Sequence, residues 1–369
     1  MVNKNSLLSV FAFLSALCGF SSQQAFAQLG GKNVYEVLNF TVPARIAALG
    51  GHAIGVRDKD LNLVSENPSA LTAEMNKSLA FNFVNYFGGI NYGYIGYAQS
   101  MEKKGNWAAS ILYSNYGKFN KTDETGVVQG TFTAADYVLS GTYSRAFDSV
   151  FYMGATVKLL YSQYDIYNSF GMALDYAASY HSKNKSTAVT ALIKNFGGNF
   201  KAYTKGNGGP LPFEIQVGVS HKLKYVPVRF SMVVTNLNRP NLAPNDPNAK
   251  PKTDPLTGEV EAVKPRIGDK IMRHFIFGVE IIPAKSLFFR FGYNYQRRQE
   301  MKVPTRVALV GFSYGFGIRI SKFELSYARA SYSLAGGTNH ITISTNLDSF
   351  KSKKKTQSPP DEKKNNDSH

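Results

Sequence analysis

Cysteine is almost missing from this 369-residue chain: the one thiol, Cys18, falls in an N-terminal stretch that reads as a leader. A chain processed after that stretch has no disulfide, no thiolate metal site and no dithiol redox centre. Tryptophan is as scarce, with one residue against 22 Tyr and 26 Phe. Long apolar runs are missing too. After residue 27 none approaches the roughly 20 apolar residues that a membrane helix needs, so any crossing must be made by strands. Acidic residues are outnumbered, 25 against 42 Lys and Arg. Part of that excess sits outside any compact face: Lys4 lies in the leader, and Lys351, Lys353, Lys354, Lys355, Lys363 and Lys364 lie in the C-terminal tail. No nucleic-acid partner is therefore expected, and lipid headgroups at a membrane rim suit the charge better.

The signatures of an enzyme are also lacking. The six histidines, at 52, 181, 221, 274, 340 and 369, form no His-Glu-x-x-His motif. No Gly-x-Ser-x-Gly elbow or Walker loop occurs. No catalytic residue, cofactor or metal is expected. His274 shares a strand parity with Glu280, and a structural histidine is the simpler reading of it.

Export is written into the first 27 residues. Lys4 supplies the positive start, residues 7–17 the apolar stretch, and Ala25-Phe26-Ala27 the small residues of a cleavage site, so the mature chain begins at Gln28. Leu17 is too large for the usual lipoprotein pattern before Cys18, which argues against a lipid anchor.

Strict two-residue alternation fills most of the chain beyond residue 77. Phe289, Phe291, Tyr293 and Tyr295 oppose Arg290, Gly292, Asn294 and Gln296. Phe213, Ile215, Val217 and Val219 oppose Glu214, Gln216, Gly218 and Ser220, and Phe312, Tyr314, Phe316 and Ile318 oppose Ser313, Gly315, Gly317 and Arg319. A strand sends such sets to opposite faces. The pattern predicts fourteen strands, at 78–87, 90–100, 106–118, 131–146, 151–164, 168–181, 185–196, 212–223, 226–237, 273–282, 286–298, 305–317, 319–330 and 338–348. Most can make a tilted crossing of roughly 9–11 residues. Turns near Met101, Asp148, Ser182, Lys224, Pro283 and Arg319 are short, whereas 119–130, 197–211, 238–272 and 299–304 read as longer loops on the other side. A soluble sandwich also alternates, but the leader, strand length and loop asymmetry favour an all-β, fourteen-stranded antiparallel transmembrane barrel of the outer membrane. An even strand count puts both mature termini in the periplasm. The division is 1–27 leader, 28–77 N-terminal segment and plug, 78–348 barrel and 349–369 a basic tail too polar to fold.

The segment before the wall has another grammar. Pro43 can open a short helix, Gly50-Gly51 can stop it, and Asn67-Pro68 marks a turn. Folded in the lumen as a plug, it would meet Glu214, Arg229, Glu280 and Arg290, whose burial requires partners.

Residues 43–56, PARIAALGGHAIGV, and 61–71, LNLVSENPSAL, resemble the small-residue plug motif and the Asn-Pro hatch motif of the PorV and PorQ proteins of the type IX secretion system, within the fatty-acid-channel-like barrels. The start Asn33-Val34-Tyr35-Glu36-Val37-Leu38-Asn39-Phe40 and residues 82–97 are closer to PorQ. The resemblance implies a fourteen-stranded, noncatalytic member of the secretion system's attachment complex, anchoring a surface partner like PorZ beside PorU and PorV. It gives plug-motif roles to Pro43, Arg45, Gly50, Gly51, Asn67 and Pro68. The Pro-rich loop 238–272 then supplies the docking candidates Arg239, Asp246, Lys250, Lys252, Glu259, Glu261, Lys264 and Arg266. The alternative is a channel for hydrophobic molecules, for which an apolar opening through the wall and a ligand-lined route would argue, whereas a sealed lumen with an exposed protein-binding face would argue for attachment.

Overall fold

The computed structural model describes residues 33–101, 104–204, 208–243, 252–253, 260–261, 266–302, 309–333 and 336–350. The predicted leader and residues 351–369 of the tail lie outside them. Fourteen strands close into an antiparallel barrel. They are β1 (Ser78–Asn85), β2 (Asn91–Ser100), β3 (Asn106–Thr122), β4 (Val128–Ala146), β5 (Phe151–Tyr164), β6 (Tyr167–His181), β7 (Thr187–Lys201), β8 (Glu214–Lys222) and β9 (Val228–Val234). A separate two-residue pair, β10 (Lys252–Thr253) and β11 (Val260–Glu261), interrupts the series. The wall resumes with β12 (Phe275–Ala284), β13 (Leu287–Asn294), β14 (Phe312–Ile320), β15 (Phe323–Ser333) and β16 (Gly336–Asn346). The seam closes where β1 pairs with β16, from Ser78 opposite Asn346 to Asn85 opposite Asn339. Closure leaves no strand edge for lipid to face, which is what lets a sheet cross a bilayer.

Outward positions carry exposed Phe81, Phe83, Ile95, Leu139, Leu159, Phe291 and Phe316, and the residues between them turn inward and are buried. The alternation read at 213–220, 289–294 and 312–319 is this division. The protein is an outer-membrane barrel.

The rim is uneven. The strands β3 to β7 run 14 to 19 residues, longer than a crossing needs, while β8, β9, β13 and β14 have 7 to 9. Residues 119–130 are therefore no long loop: Phe119 faces Phe132 at 5.3 Å in a continuing ribbon, and Asp123 accepts three bonds that close its tip. Likewise β7 continues past Phe196 to Lys201. The long connections 202–213, 235–274 and 295–311 each adjoin at least one of the short strands β8, β9, β13 and β14.

Two other expectations are corrected. The strand drawn to 298 stops at Asn294, whose side chain accepts from Arg297 N and caps the helix Tyr295–Met301. The turn placed before Arg319 lies two residues later, at Ser321-Lys322, where Ser321 adopts φ 54°. Gly317 is an inward strand position packed against Arg290 and Ser326.

The N-terminal segment runs through the barrel interior. Val34 N donates to Pro210 O at the long-connection end, and the chain reaches the opposite end where β1 begins. Between lie the helix Ala44–Ala48 and short 3-10 turns at Leu61–Ser65, Pro68–Ala70 and Ala73–Met75. Inward glycines receive its backbone. A Cβ on Gly292 would overlap Gly50 N and Leu49 C, and one on Gly154 would overlap Pro68.

Candidate functional site

The lumen is divided between apolar and charged halves by the residues the strands turn inward. Toward the long connections, Val84, Tyr92, Tyr94, Val138 and Leu160 of the wall enclose Tyr35, Val37, Leu38 and Val42 of the segment, with Leu211. Phe40 stacks on Tyr92 at 3.9 Å. A cavity of about 60 Å³ is lined by Val37, Leu38, Val64, Leu112 and Val138 together with Glu66, Lys158 and Lys194. An apolar cavity of about 150 Å³ is what benzene fills, so this space opens only if something moves.

The lysines are held by a bulge. Between Leu174 and Tyr176 the β6–β7 register shifts, and Asn195, at φ 58°, turns inward beside Lys194. Asp175 accepts from Asn195 N at 2.8 Å and pairs with Lys158 at 2.6 Å. Lys194 reaches Glu66 at 3.2 Å, and Glu66 also meets His52 Nδ1 at 2.9 Å. Burial opposes the charge on Glu66, and Lys194 and His52 override it, holding the carboxyl down to about 2.

Arg45 is the hub of a second network. It is 5% exposed and binds Glu280, Asp58 and Asp60. Glu280 is shared with Arg229 at 2.8 Å and Arg290 at 3.0 Å. Burial likewise opposes ionisation of Asp58, but Arg45 and Arg229 keep it well below the usual carboxylate range. Charge assistance on all sides is what makes such burial tolerable.

The residues assigned to the plug motif all lie on the segment inside the barrel, but against different walls. Pro43 precedes the Ala44–Ala48 helix, and Gly50 and Gly51 take φ 96° and 101° after it. The Asn67 side chain caps the Pro68–Ala70 turn by accepting from Ser69 N and donates to Ile54 O. Arg229, Glu280 and Arg290 face the lumen as parity predicts. Glu214 is inward too, but its Oε1 accepts from Asn236 N. His274 bonds Thr235 O, and His340 is held between Val42 O and Thr338.

The docking candidates fall only partly within the described residues. Asp246, Lys250, Glu259 and Lys264 lie outside the described residues, Lys252 and Glu261 sit opposite each other on β10 and β11, Arg239 follows β9, and Arg266 precedes the helix Ile267–Met272. Sequence reasoning missed Asp58, Asp60, Lys158, Asp175 and Lys194 as interior groups. Lys158, Asp175 and Lys194 fall on the inward parity of their strands, which was the available signal.

No protein-family model matches the chain. No curated protein matches it either. In fold the chain is similar to the toluene transporter TbuX of Ralstonia pickettii, with a TM-score of 0.51 and 11% identity over 84% of this chain and 99% of that one. The toluene transporter TodX of Pseudomonas putida gives 0.48 and 11% over 87% and 98%, and a FadL homologue of Pseudomonas aeruginosa gives 0.45 and 9% over 83% and 98%. At such identities the likeness is one of fold. The likeness to hydrocarbon-channel barrels corrects the PorQ and PorV assignment, and with it the attachment role, the type IX vocabulary and the partners PorZ, PorU and PorV. Among the described residues no group of three or more His, Cys, Asp or Glu could hold a metal.

Proposed function

We propose that the protein is an outer-membrane channel for hydrophobic molecules, with residues 39–71 as its plug. One observation carries the reading: the inward wall at the long-connection end is apolar at Val84, Tyr92, Val138 and Leu160, where a channel for polar solutes keeps a polar interior. The fold shared with the toluene transporter TbuX supports it. In this reading Arg45 anchors the plug to Glu280, Gly50, Gly51 and Asn67-Pro68 shape it to the wall, and Pro43 sets the entry of its helix. Displacement of residues 35–42 enlarges the small cavity into a route. The short turns face the periplasm, as do the start of β1 and the end of β16. Val34 bonds Pro210 at the opposite end, so strand parity by itself does not set the side of the residues before it.

Uptake of radiolabelled toluene into proteoliposomes tests the channel. Faster uptake than in empty liposomes, reduced by Leu160→Glu in a folded barrel, is the expected result. Uptake equal to that of empty liposomes would remove the reading.

A further inference from the structure

At the short-turn end the lumen widens into a chamber of about 980 Å³, near the upper limit of ordinary small-molecule pockets. Its lining is dominated by one sign of charge. Arg57 comes from the N-terminal segment, Arg145 from the end of β4, Lys183 and Lys185 from the β6–β7 turn, and Lys222 from the end of β8. None of these five forms an ion pair among the described residues. Arg229 and Asp58 also line the chamber, but they are committed to each other and to the Arg45 network. Glu74 is the other lining carboxylate, and its charge attracts Arg57 without forming an ion pair.

Arg57 is held in an unusual way. Its guanidinium lies 3.3 Å over the Tyr152 ring, and Tyr152 meets His181 edge-on at 5.5 Å. A guanidinium fixed by an aromatic face keeps its in-plane N–H groups available for an oxyanion. A second observation points to the same place. Arg57 Nε, Thr72 Oγ1, Asn106 Oδ1 and His181 Nε2 are buried atoms of this lining with no hydrogen-bond partner in the protein. His181 is 8% exposed, so its ring nitrogen cannot turn to open solvent. Buried polar atoms are satisfied in the great majority of cases, so Arg57 Nε and His181 Nε2 stand out as unpartnered donors-in-waiting in the shell behind the chamber lining, beside the unpaired cations.

We propose that this chamber binds a small multivalent oxyanion, a phosphate or a polycarboxylate, with the Arg57 guanidinium at its inner wall and Arg145, Lys183 and Lys222 around it. The cations cannot all approach one another without cost, and a concave low-dielectric wall concentrates their field on whatever anion enters. Guanidinium pairing with an oxyanion is bidentate and directional, which sets Arg57 apart from the lysines as the recognising group. The site lies across the plug from the apolar cavity and shares no lining residue with it, so it stands whether or not hydrophobic molecules cross the lumen.

Calorimetric titration of the detergent-solubilised full chain with inorganic phosphate, and separately with citrate, tests the site. Saturable binding is expected. Arg57→Met should weaken it by about tenfold or more, as loss of a charge-assisted bidentate contact does. If Arg57→Met fails to fold, the triple variant K183A/K185A/K222A, confined to the chamber's exposed rim, should still lower affinity, whereas Lys322→Ala outside the chamber should not. Repeating the phosphate titration in phosphatidylglycerol nanodiscs separates the sources: unchanged affinity assigns the site to a soluble anion, and loss of phosphate binding assigns it to a lipid headgroup. No saturable binding by the wild-type chain in detergent, or binding that neither Arg57→Met nor the triple variant alters, overturns the proposal.

Discussion

Arg45 grips Glu280 through two parallel hydrogen bonds, Nε to Oε1 at 2.9 Å and Nη2 to Oε2 at 3.0 Å, tying the N-terminal segment to β12 inside the barrel. Glu280 also serves Arg229 and Arg290. Its replacement by Gln leaves three buried guanidinium groups short of charge. Glu280→Gln is expected to destabilise the barrel by about 3–5 kcal/mol, the usual cost of breaking a buried ion pair. The midpoint of heat-modifiable migration on gels measures it. A change below about 1 kcal/mol would show that Asp58 and Asp60 alone satisfy the cluster.

The same contact predicts conductance. Arg45→Gln removes the charged anchor of the segment but keeps the helix Ala44–Ala48 compatible with its length. Planar-bilayer recordings should show more frequent or larger openings than the wild type, and identical recordings from folded protein would deny Arg45 a part in holding the lumen shut.

Glycine positions give a sharper steric test. Gly292→Ala must push Gly50 and Leu49 away, and overpacking of this kind costs about 1–3 kcal/mol. Gly141→Ala is the control, since nothing lies within 4 Å of a Cβ there. Thermal melting of the two variants should differ by that amount.

Acid sensitivity is expected from Glu66. Its folded value of about 2 lies below the ordinary carboxyl value of 4.5, so the charged form stabilises the fold. That contribution, on the order of 3 kcal/mol, is complete above the unfolded value and is lost as pH falls through the folded one. Stability measured from about pH 5 down to about pH 2 should decline, and Glu66→Gln should flatten part of the decline. A slope unchanged by the substitution would assign acid sensitivity to other carboxylates.

Sidedness is tested with tags near Asp254 and after His369. Antibody should reach the first on intact cells and the second only after the outer membrane is opened; both reached from outside would reject the assigned orientation.

The wall was legible because lipid and lumen impose opposite chemistry on neighbouring residues, as Phe289, Arg290, Phe291 and Gly292 display. The local backbone of the segment was legible at Pro43, Gly50-Gly51 and Asn67-Pro68, whose preferences are local. Less legible was whatever depended on three-dimensional pairing. The bulge at Asn195 has no local marker, because it is fixed by Asp175 and Lys158 on other strands. The strand end beyond the bilayer was missed at Phe119, whose partnership with Phe132 is only visible across the ribbon. The motif resemblance misled about role, since small residues in a lumenal segment answer a packing requirement that different barrels share.

The glycine contacts also constrain the order of assembly. Backbone this close to Gly292 on one wall and Gly154 on another cannot be drawn lengthwise through a finished cylinder, because each saddle admits only the residue already seated in it. The segment is continuous with β1, and β1 forms one lip of the closing seam. The cylinder must therefore be wrapped around its contents like a stave vessel around a core, with the β1–β16 seam shut after the segment is in place.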